Sequence, residues 1–245
     1  MEQATPAPVI AIVLAAGHGV RFDADNPKQL IKLEGKPVVA WSIDAFQRNE
    51  RVSDIVIVVN ERVRPAMEQL VEDYNFTKVR AIINGGAERV DSTETALAML
   101  ADHNVPANAK LLFHDSVRPF VSQRMIDGCI DTLGEFSAAT VACPSTDTIL
   151  MSQDLGDRKV IKSVPNRKEC FRVQTPQAFR FETIRRAYEL AALDDGFQPT
   201  DDTRAVVEYL PDIPVAIVSG SPTNLKITTQ DDLPLAQLIA HNLKK

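Results

Sequence analysis

The chain has 245 residues, 44% of them hydrophobic, enough for a large α/β domain with a substantial core; no linker or shift of composition divides it, so one domain over 1–245 is expected. Its 27 Lys and Arg against 33 Asp and Glu leave a net charge of −6 with no block of like charges, which argues against nucleic acid or an anionic membrane as partner. Cys129, Cys143 and Cys170 form no C-x-x-C pair and have no His-rich companion, so a reducing cytoplasm without a zinc site is expected; no stretch approaches the roughly 20 apolar residues of a membrane span.

The first element is the apolar, β-branched run Val9 to Leu14, which reads as a strand buried on both faces of a parallel sheet. Met1 to Pro8 carries Glu2 and no Lys or Arg, so this run is not read as a secretion signal. A loop of small residues follows. Ala15, Ala16, Gly17 and Gly19 let backbone N–H groups close on an anionic ligand, and Arg21 and Lys28 bring cations, a combination suited to a nucleoside triphosphate. A dinucleotide fingerprint is disfavoured because Phe22 stands where its third glycine would be and the loop runs through Asp23 and Asp25 to Pro27 without opening a helix. A P-loop fails as well, since Lys28 is neither preceded by Gly nor followed by Ser or Thr.

Pro37 to Arg48 reads as a helix, Asp54 to Asn60 as a strand, Arg64 to Tyr74 as a helix, Val79 to Ile83 as a strand and Glu88 to Leu100 as a helix. This alternation predicts a Rossmann-like, mostly parallel sheet with helices on both faces and ligands at the carboxyl ends of the strands. The turn Asn84-Gly-Gly-Ala-Glu-Arg-Val-Asp-Ser92 could border the same ligand as the first loop. A further strand from Lys110 ends on His114, Asp115 and Arg118, with Pro119 fixing the bend. A helix over Ser122 to Leu133 and a strand over Ala138 to Cys143 follow. Residues 144–154 and 159–164 read as two extended pieces about a turn containing Gly156, an arm that needs something to pack on. Phe181 to Leu193 reads as a helix, and Pro199-Thr-Asp-Asp-Thr203 as a helix N-cap with an acidic first turn. Strands over Val215 to Val218 and Asn224 to Thr229 and a helix over Asp231 to Leu243 complete the chain.

Leu14-Ala-Ala-Gly-His-Gly-Val-Arg21 with Pro27-Lys-Gln29 resembles the signature loop of sugar- and polyol-phosphate nucleotidyltransferases, and the P-K-Q ending resembles their cytidylyltransferase branch, the methylerythritol-phosphate and ribitol-phosphate enzymes. The likeness recurs in the Gly85, Gly86, Arg89, Ser92 pattern, in His114-Asp-Ser-Val-Arg-Pro119, in Gln174-Thr-Pro-Gln177 and in Asn224-Leu-Lys226; Ala87 departs from the acidic residue many relatives carry. The resemblance implies that CTP is held by Leu14, Ala15, Ala16, Gly17, Gly19, Gly85, Gly86, Arg89, Ser92 and Asp115, the last beside the ribose and a Mg²⁺ ion. Arg21, Lys28 and Lys226 would be catalytic. Asp115, Arg118, Thr148, Arg167, Thr175 and Thr200 would face the acceptor polyol phosphate, and the arm at about 144–164 would clasp a second subunit in a homodimer, bringing Thr146, Asp147 and Thr148 near the partner's active site.

The chemistry implied is attack on the α-phosphorus of CTP with release of pyrophosphate, driven by positioning and by cations that stabilise the pentacoordinate phosphorus. Pro165-Asn166 before Arg167, Leu150 in place of a cation and Phe120 after Pro119 lean the acceptor toward ribitol 5-phosphate, with 2-C-methyl-D-erythritol 4-phosphate as the alternative. A nucleotide-binding regulator without catalysis is disfavoured because Arg21, Lys28, Asp115 and Lys226 are all present; a hydride-transfer enzyme is a third reading that a nicotinamide titration would test.

Overall fold

The computed structural model describes residues 7–17, 27–86, 88–194, 196 and 201–244. In chain order its elements are β1 (Val9–Ala15), β2 (Lys32–Leu33), β3 (Lys36–Pro37), α1 (Val38–Gln47), β4 (Asp54–Val59), α2 (Arg64–Asp73), β5 (Val79–Asn84), α3 (Arg89–Asp102) and β6 (Lys110–Asp115). They continue with α4 (Gln123–Glu135), β7 (Ala138–Pro144), β8 (Met151–Asp154), β9 (Lys159–Ser163), β10 (Phe171–Arg180), α5 (Phe181–Ala191), α6 (Asp202–Tyr209), β11 (Val215–Ser219) and α7 (Leu233–Leu243). Seven strands form one sheet in the order β11-β7-β10-β6-β1-β4-β5. Its pairs are parallel except those of β10, which runs antiparallel to both β6 and β7.

The uniform apolarity of β1 is explained by its place at the centre. Val9, Ala11, Val13 and Ala15 pack with Ile43 and Phe46 of α1, Met67 of α2 and Ile126 and Ile130 of α4; Ile10, Ile12 and Leu14 pack on the other face with Leu97 of α3, Ile184 and Tyr188 of α5 and Val206 of α6. A side chain on either face therefore leaves water, at roughly 1.5–3 kcal/mol for a full Val, Leu or Ile. A third cluster, Leu33, Val38, Val117, Phe120, Ile227, Ala236 and Ala240, docks α7 beside the loop that follows β6.

Three expectations change. Residues 171–180 form β10, a central strand that hydrophobic periodicity does not announce, because Gln174-Thr-Pro-Gln177 neither alternates nor tolerates a regular ladder at Pro176. The register with β7 accordingly jumps between Val173 and Gln177. Conversely, residues 224–229 are not a strand. Asn224 Nδ2 donates instead to the Thr175 carbonyl (2.9 Å) and to Gln174 Oε1 (3.3 Å), and Ile227 N to the Val117 carbonyl (2.9 Å), so the segment is pinned by side chains across the end of β10. The arm is present as the antiparallel pair β8 and β9, separate from the main sheet and exposed throughout, with Gly156 in its turn at φ +93°; residues 145–150 are irregular rather than extended pairing.

Candidate active site

The strand order places β1 between β4 and β6, so successive connections leave it in opposite directions and open a crevice at the carboxyl ends. Asp115, the last residue of β6, lies there opposite Leu14. Arg89 at the start of α3 contacts its Oδ1 at 2.6 Å; Lys226 and Arg118 reach Oδ2 at 3.0 and 3.4 Å. Burial by itself would raise the Asp115 pKa, but Arg89, Lys226 and Arg118 outweigh it and hold this carboxyl well below the usual carboxylate range. The site is thus a buried anion ringed by three cations.

A relay of hydrogen bonds fixes the backbone around Asp115. Its N–H donates to Thr175 Oγ1 (3.1 Å), Thr175 Oγ1 lies 2.9 Å from His114 Nδ1, and His114 Nε2 lies 3.0 Å from the Arg118 carbonyl. A carbonyl only accepts, so Nε2 carries the proton and Nδ1 accepts from the threonine hydroxyl. Burial pushes the His114 pKa down to about 4, keeping the ring neutral. Thr175, expected on the acceptor, has its hydroxyl engaged on both sides in this relay. Arg118 is held as well, donating from Nη1 to the Asn224 carbonyl at 2.9 Å.

The first loop is held from below. Gln29 Nε2 donates to the Ala15 carbonyl (3.0 Å) and, at 3.5 Å, to that of Gly17, while Asn60 Nδ2 donates to the Ala16 carbonyl (3.0 Å). Lys28 donates to the Ile227 carbonyl at 3.2 Å, next in sequence to Lys226. Gly85 joins this loop to α3: a Cβ there would lie 2.4 Å from Ser92 Oγ, 2.8 Å from Ala16 Cβ and 2.9 Å from Val58 Cγ1. Gly86 is packed as closely on Asp91. Gly85 thus brings Ala16 against Ser92, while Leu14, Ala15 and Gly17 lie along β1 and its loop and Gly86 in the β5–α3 turn. Gly19, Arg21 and Thr200 lie outside the described residues.

Asp201 and Asp202 divide the work that the sequence assigns to a simple cap. Asp201 is the cap, its side chain accepting from Arg204 N at 2.9 Å. Asp202 is completely buried and binds Arg89 Nη2 (2.6 Å), Thr93 Oγ1 (2.8 Å) and Tyr188 OH (2.7 Å). The available signal was the tandem of aspartates where one cap suffices. Arg89, expected on the nucleotide, is therefore an ion-pair bridge between Asp115 and Asp202, and its Nε has no hydrogen-bond partner among the described residues. Thr148 and Arg167 are exposed at the base of the arm, Arg167 donating to the Thr146 carbonyl at 3.5 Å, and neither bonds to the Asp115 cluster among the described residues. No group of three or more His, Cys, Asp or Glu that could cage a metal occurs among the described residues. A lone carboxylate is nevertheless a fitting donor for Mg²⁺ when substrate phosphates complete the shell.

The model of the IspD family, 2-C-methyl-D-erythritol 4-phosphate cytidylyltransferase, matches residues 9–242. The chain is 64% identical over 242 residues to the 2-C-methyl-D-erythritol 4-phosphate cytidylyltransferase of Bifidobacterium longum subsp. infantis, covering 99% of this chain and 83% of the relative. It is 39% identical over 227 residues to the bifunctional ribulose 5-phosphate reductase/CDP-ribitol pyrophosphorylase Bcs1 of Haemophilus influenzae, covering 93% of this chain and 47% of that protein. The crystal structure of 4-diphosphocytidyl-2C-methyl-D-erythritol synthase from Anaerococcus prevotii superposes with a TM-score of 0.82 at 28% identity, covering 98% of this chain and 97% of that one. With the strand order, the cation-ringed Asp115 and a match over nearly its whole length, the chain belongs to the family of 2-C-methyl-D-erythritol 4-phosphate cytidylyltransferases.

Proposed function

We propose that this cytidylyltransferase moves CMP from CTP to 2-C-methyl-D-erythritol 4-phosphate rather than to ribitol 5-phosphate, the acceptor toward which local motifs lean. The observation that carries this reading is the 64% identity, along 99% of the chain, to a relative of that name. Each motif behind the ribitol reading also has a local explanation. Phe120 is buried against Trp41 at a ring separation of 6.1 Å, Asn166 accepts from Lys168 N and donates to Glu169 in a short 3-10 turn, and Leu150 belongs to the exposed apolar face of the arm. None of these three needs an acceptor to account for it. Ribitol 5-phosphate stays as the second reading through the Bcs1 likeness. Side-by-side kcat/KM values with CTP and each acceptor, following pyrophosphate, decide between them; a preference for ribitol 5-phosphate overturns the assignment and leaves cytidylyl transfer intact.

In the step itself an oxygen of the acceptor's phosphate bonds to the α-phosphorus, the bond from that phosphorus to the bridging oxygen of the β-phosphate breaks, and pyrophosphate departs with the electron pair. No general base is required, because a phosphate monoester is already ionised near pH 7. Backbone N–H groups of Ala15 to Gly19 hold the triphosphate, and Arg21, Lys28 and Lys226 stabilise charge on the pentacoordinate phosphorus. Arg118 and Arg167 neutralise the acceptor phosphate, for which a guanidinium is well shaped. Asp115 would hold Mg²⁺ together with phosphate oxygens; when bound, the ion supplies charge neutralisation and orients the triphosphate.

Arg167 and Thr148 act in this scheme from the partner subunit of a homodimer. Supporting this are their distance from bonding range of Asp115 and the apolar exposure of the arm, where Leu150, Met151, Leu155, Ile161 and Val164 are each more than half exposed. A cytoplasmic setting agrees with three cysteines that are all free thiols and with the lack, among the described residues, of a helix long and apolar enough to cross a membrane.

A further inference from the structure

Two buried carboxylates share one arginine beside the reacting centre, and only one of them faces the crevice. Arg89 spans 2.6 Å contacts to Asp115 Oδ1 and to Asp202 Oδ2, shorter than the 3.0 and 3.4 Å contacts of Lys226 and Arg118 to Asp115 Oδ2. Asp202 is itself immobilised: Thr93 and Tyr188 donate to its Oδ1, and its backbone N–H donates to Gln177 Oε1 at 2.9 Å. Lys226, by contrast, keeps 41% of its side chain exposed. The two oxygens of Asp115 therefore have different holders. Oδ1 is tied through Arg89 to the packed interior of α3, α5 and α6, and Oδ2 is held by the half-exposed Lys226 and by Arg118, which is anchored on the Asn224 carbonyl.

We propose that Asp202 is a positioning residue for cytidylyl transfer, locking Arg89 so that Asp115 presents Oδ2, and not Oδ1, to the incoming substrates. The assignment rests on the cytidylyltransferase reading. Physically, a guanidinium with one carboxylate partner can rotate about its last torsions, whereas one gripped at both terminal nitrogens is fixed in plane and distance, and it fixes the plane of Asp115 in turn. Because reacting groups displaced by about 1 Å lose rate on the order of 100-fold, the effect belongs in kcat more than in nucleotide affinity.

The test compares Asp202→Asn, Arg89→Lys and Tyr188→Phe. Asp202→Asn keeps the shape and loses the grip on Arg89; Arg89→Lys keeps the charge but cannot span both carboxylates; Tyr188→Phe removes a bond to Asp202 without touching Arg89. Expected are kcat losses of roughly 10- to 100-fold for the first two, with equilibrium binding of CTP changed by less than about 3-fold, and no further loss in their double variant. Tyr188→Phe should lower Tm while keeping kcat within about 2-fold. Losses of kcat that follow Tm equally across all three overturn the proposal, as does wild-type kcat in Arg89→Lys, which decides the matter should Asp202→Asn not fold. An activity-free readout separates this from the functional reading. The Arg89 Nη–H NMR signals, assigned by their loss in Arg89→Lys, should be resolved and protected from solvent exchange in the wild type and in Tyr188→Phe, and averaged and unprotected in Asp202→Asn. A protected signal with no turnover of CTP by wild-type protein would refute cytidylyl transfer alone; an unprotected wild-type signal would refute the lock.

Discussion

Replacing Gly85 by Ala inserts one methyl group where no space exists. Its Cβ would sit 2.4 Å from Ser92 Oγ, 2.8 Å from Ala16 Cβ and 2.9 Å from Val58 Cγ1. Ser92 Oγ can rotate, but Ala16 Cβ and Val58 Cγ1 can yield only if the first loop or β4 moves. Overpacking of this kind costs about 1–3 kcal/mol, and for a chain of this size each kcal/mol lowers Tm by about 2–4 °C, so a fall of roughly 2–12 °C is expected. The displaced atoms belong to the first loop and to Ser92, which the proposed function assigns to CTP, so KM for CTP should rise at least about tenfold, with a smaller change for the acceptor. Thermal unfolding and initial rates at varied CTP measure the two effects. The control is Gly134→Ala near the end of α4, where a Cβ meets nothing within 4 Å and a helical Gly-to-Ala change should be neutral or stabilising by about 0.5–1 kcal/mol. Wild-type Tm and CTP KM in Gly85→Ala would refute the account of the pocket.

Lys28→Ala and Lys226→Ala should lower kcat strongly with little change in Tm if, as proposed, both charges serve the transferring phosphate; near-normal kcat in either removes it from that role. Arg167→Ala should act chiefly on acceptor KM, and a change confined to CTP KM would contradict its placement. Ile161→Asp puts a charge on a residue that is 65% exposed on the arm; it should shift the protein from dimer to monomer in light scattering and abolish turnover, and a fully active monomer would exclude the shared site. Between pH 6.5 and about 4 the unfolded chain binds a proton at His114 that the folded chain refuses, so folding stability should fall as pH drops through that window. At about 1.36 kcal/mol per pKa unit the loss is on the order of 3 kcal/mol, and His114→Gln should flatten it in urea titrations across this range.

Residues whose role is local or periodic were legible in the sequence. The run from Val9 to Leu14 had to be a central strand because no other place buries both of its faces, and the small residues after it announced a loop with room for close backbone approach, which the structure begins at Ala16. The His114, Asp115, Arg118 cluster was visible as charge at a strand end. Tertiary structure decided what depends on distant partners. Residues 171–180 became a central strand only because β6 and β7 supply ladders on either side, overriding the local signals of Gln174 and Pro176, and residues 224–229 gave up strand geometry because Asn224 finds its bonds on β10. Above all, Asp202 reads as half of a helix cap until folding brings it to Arg89, 113 positions away in the chain. Periodicity records which face of an element is buried. It carries no information about which buried charge lies opposite, because that pairing is a property of how the elements pack.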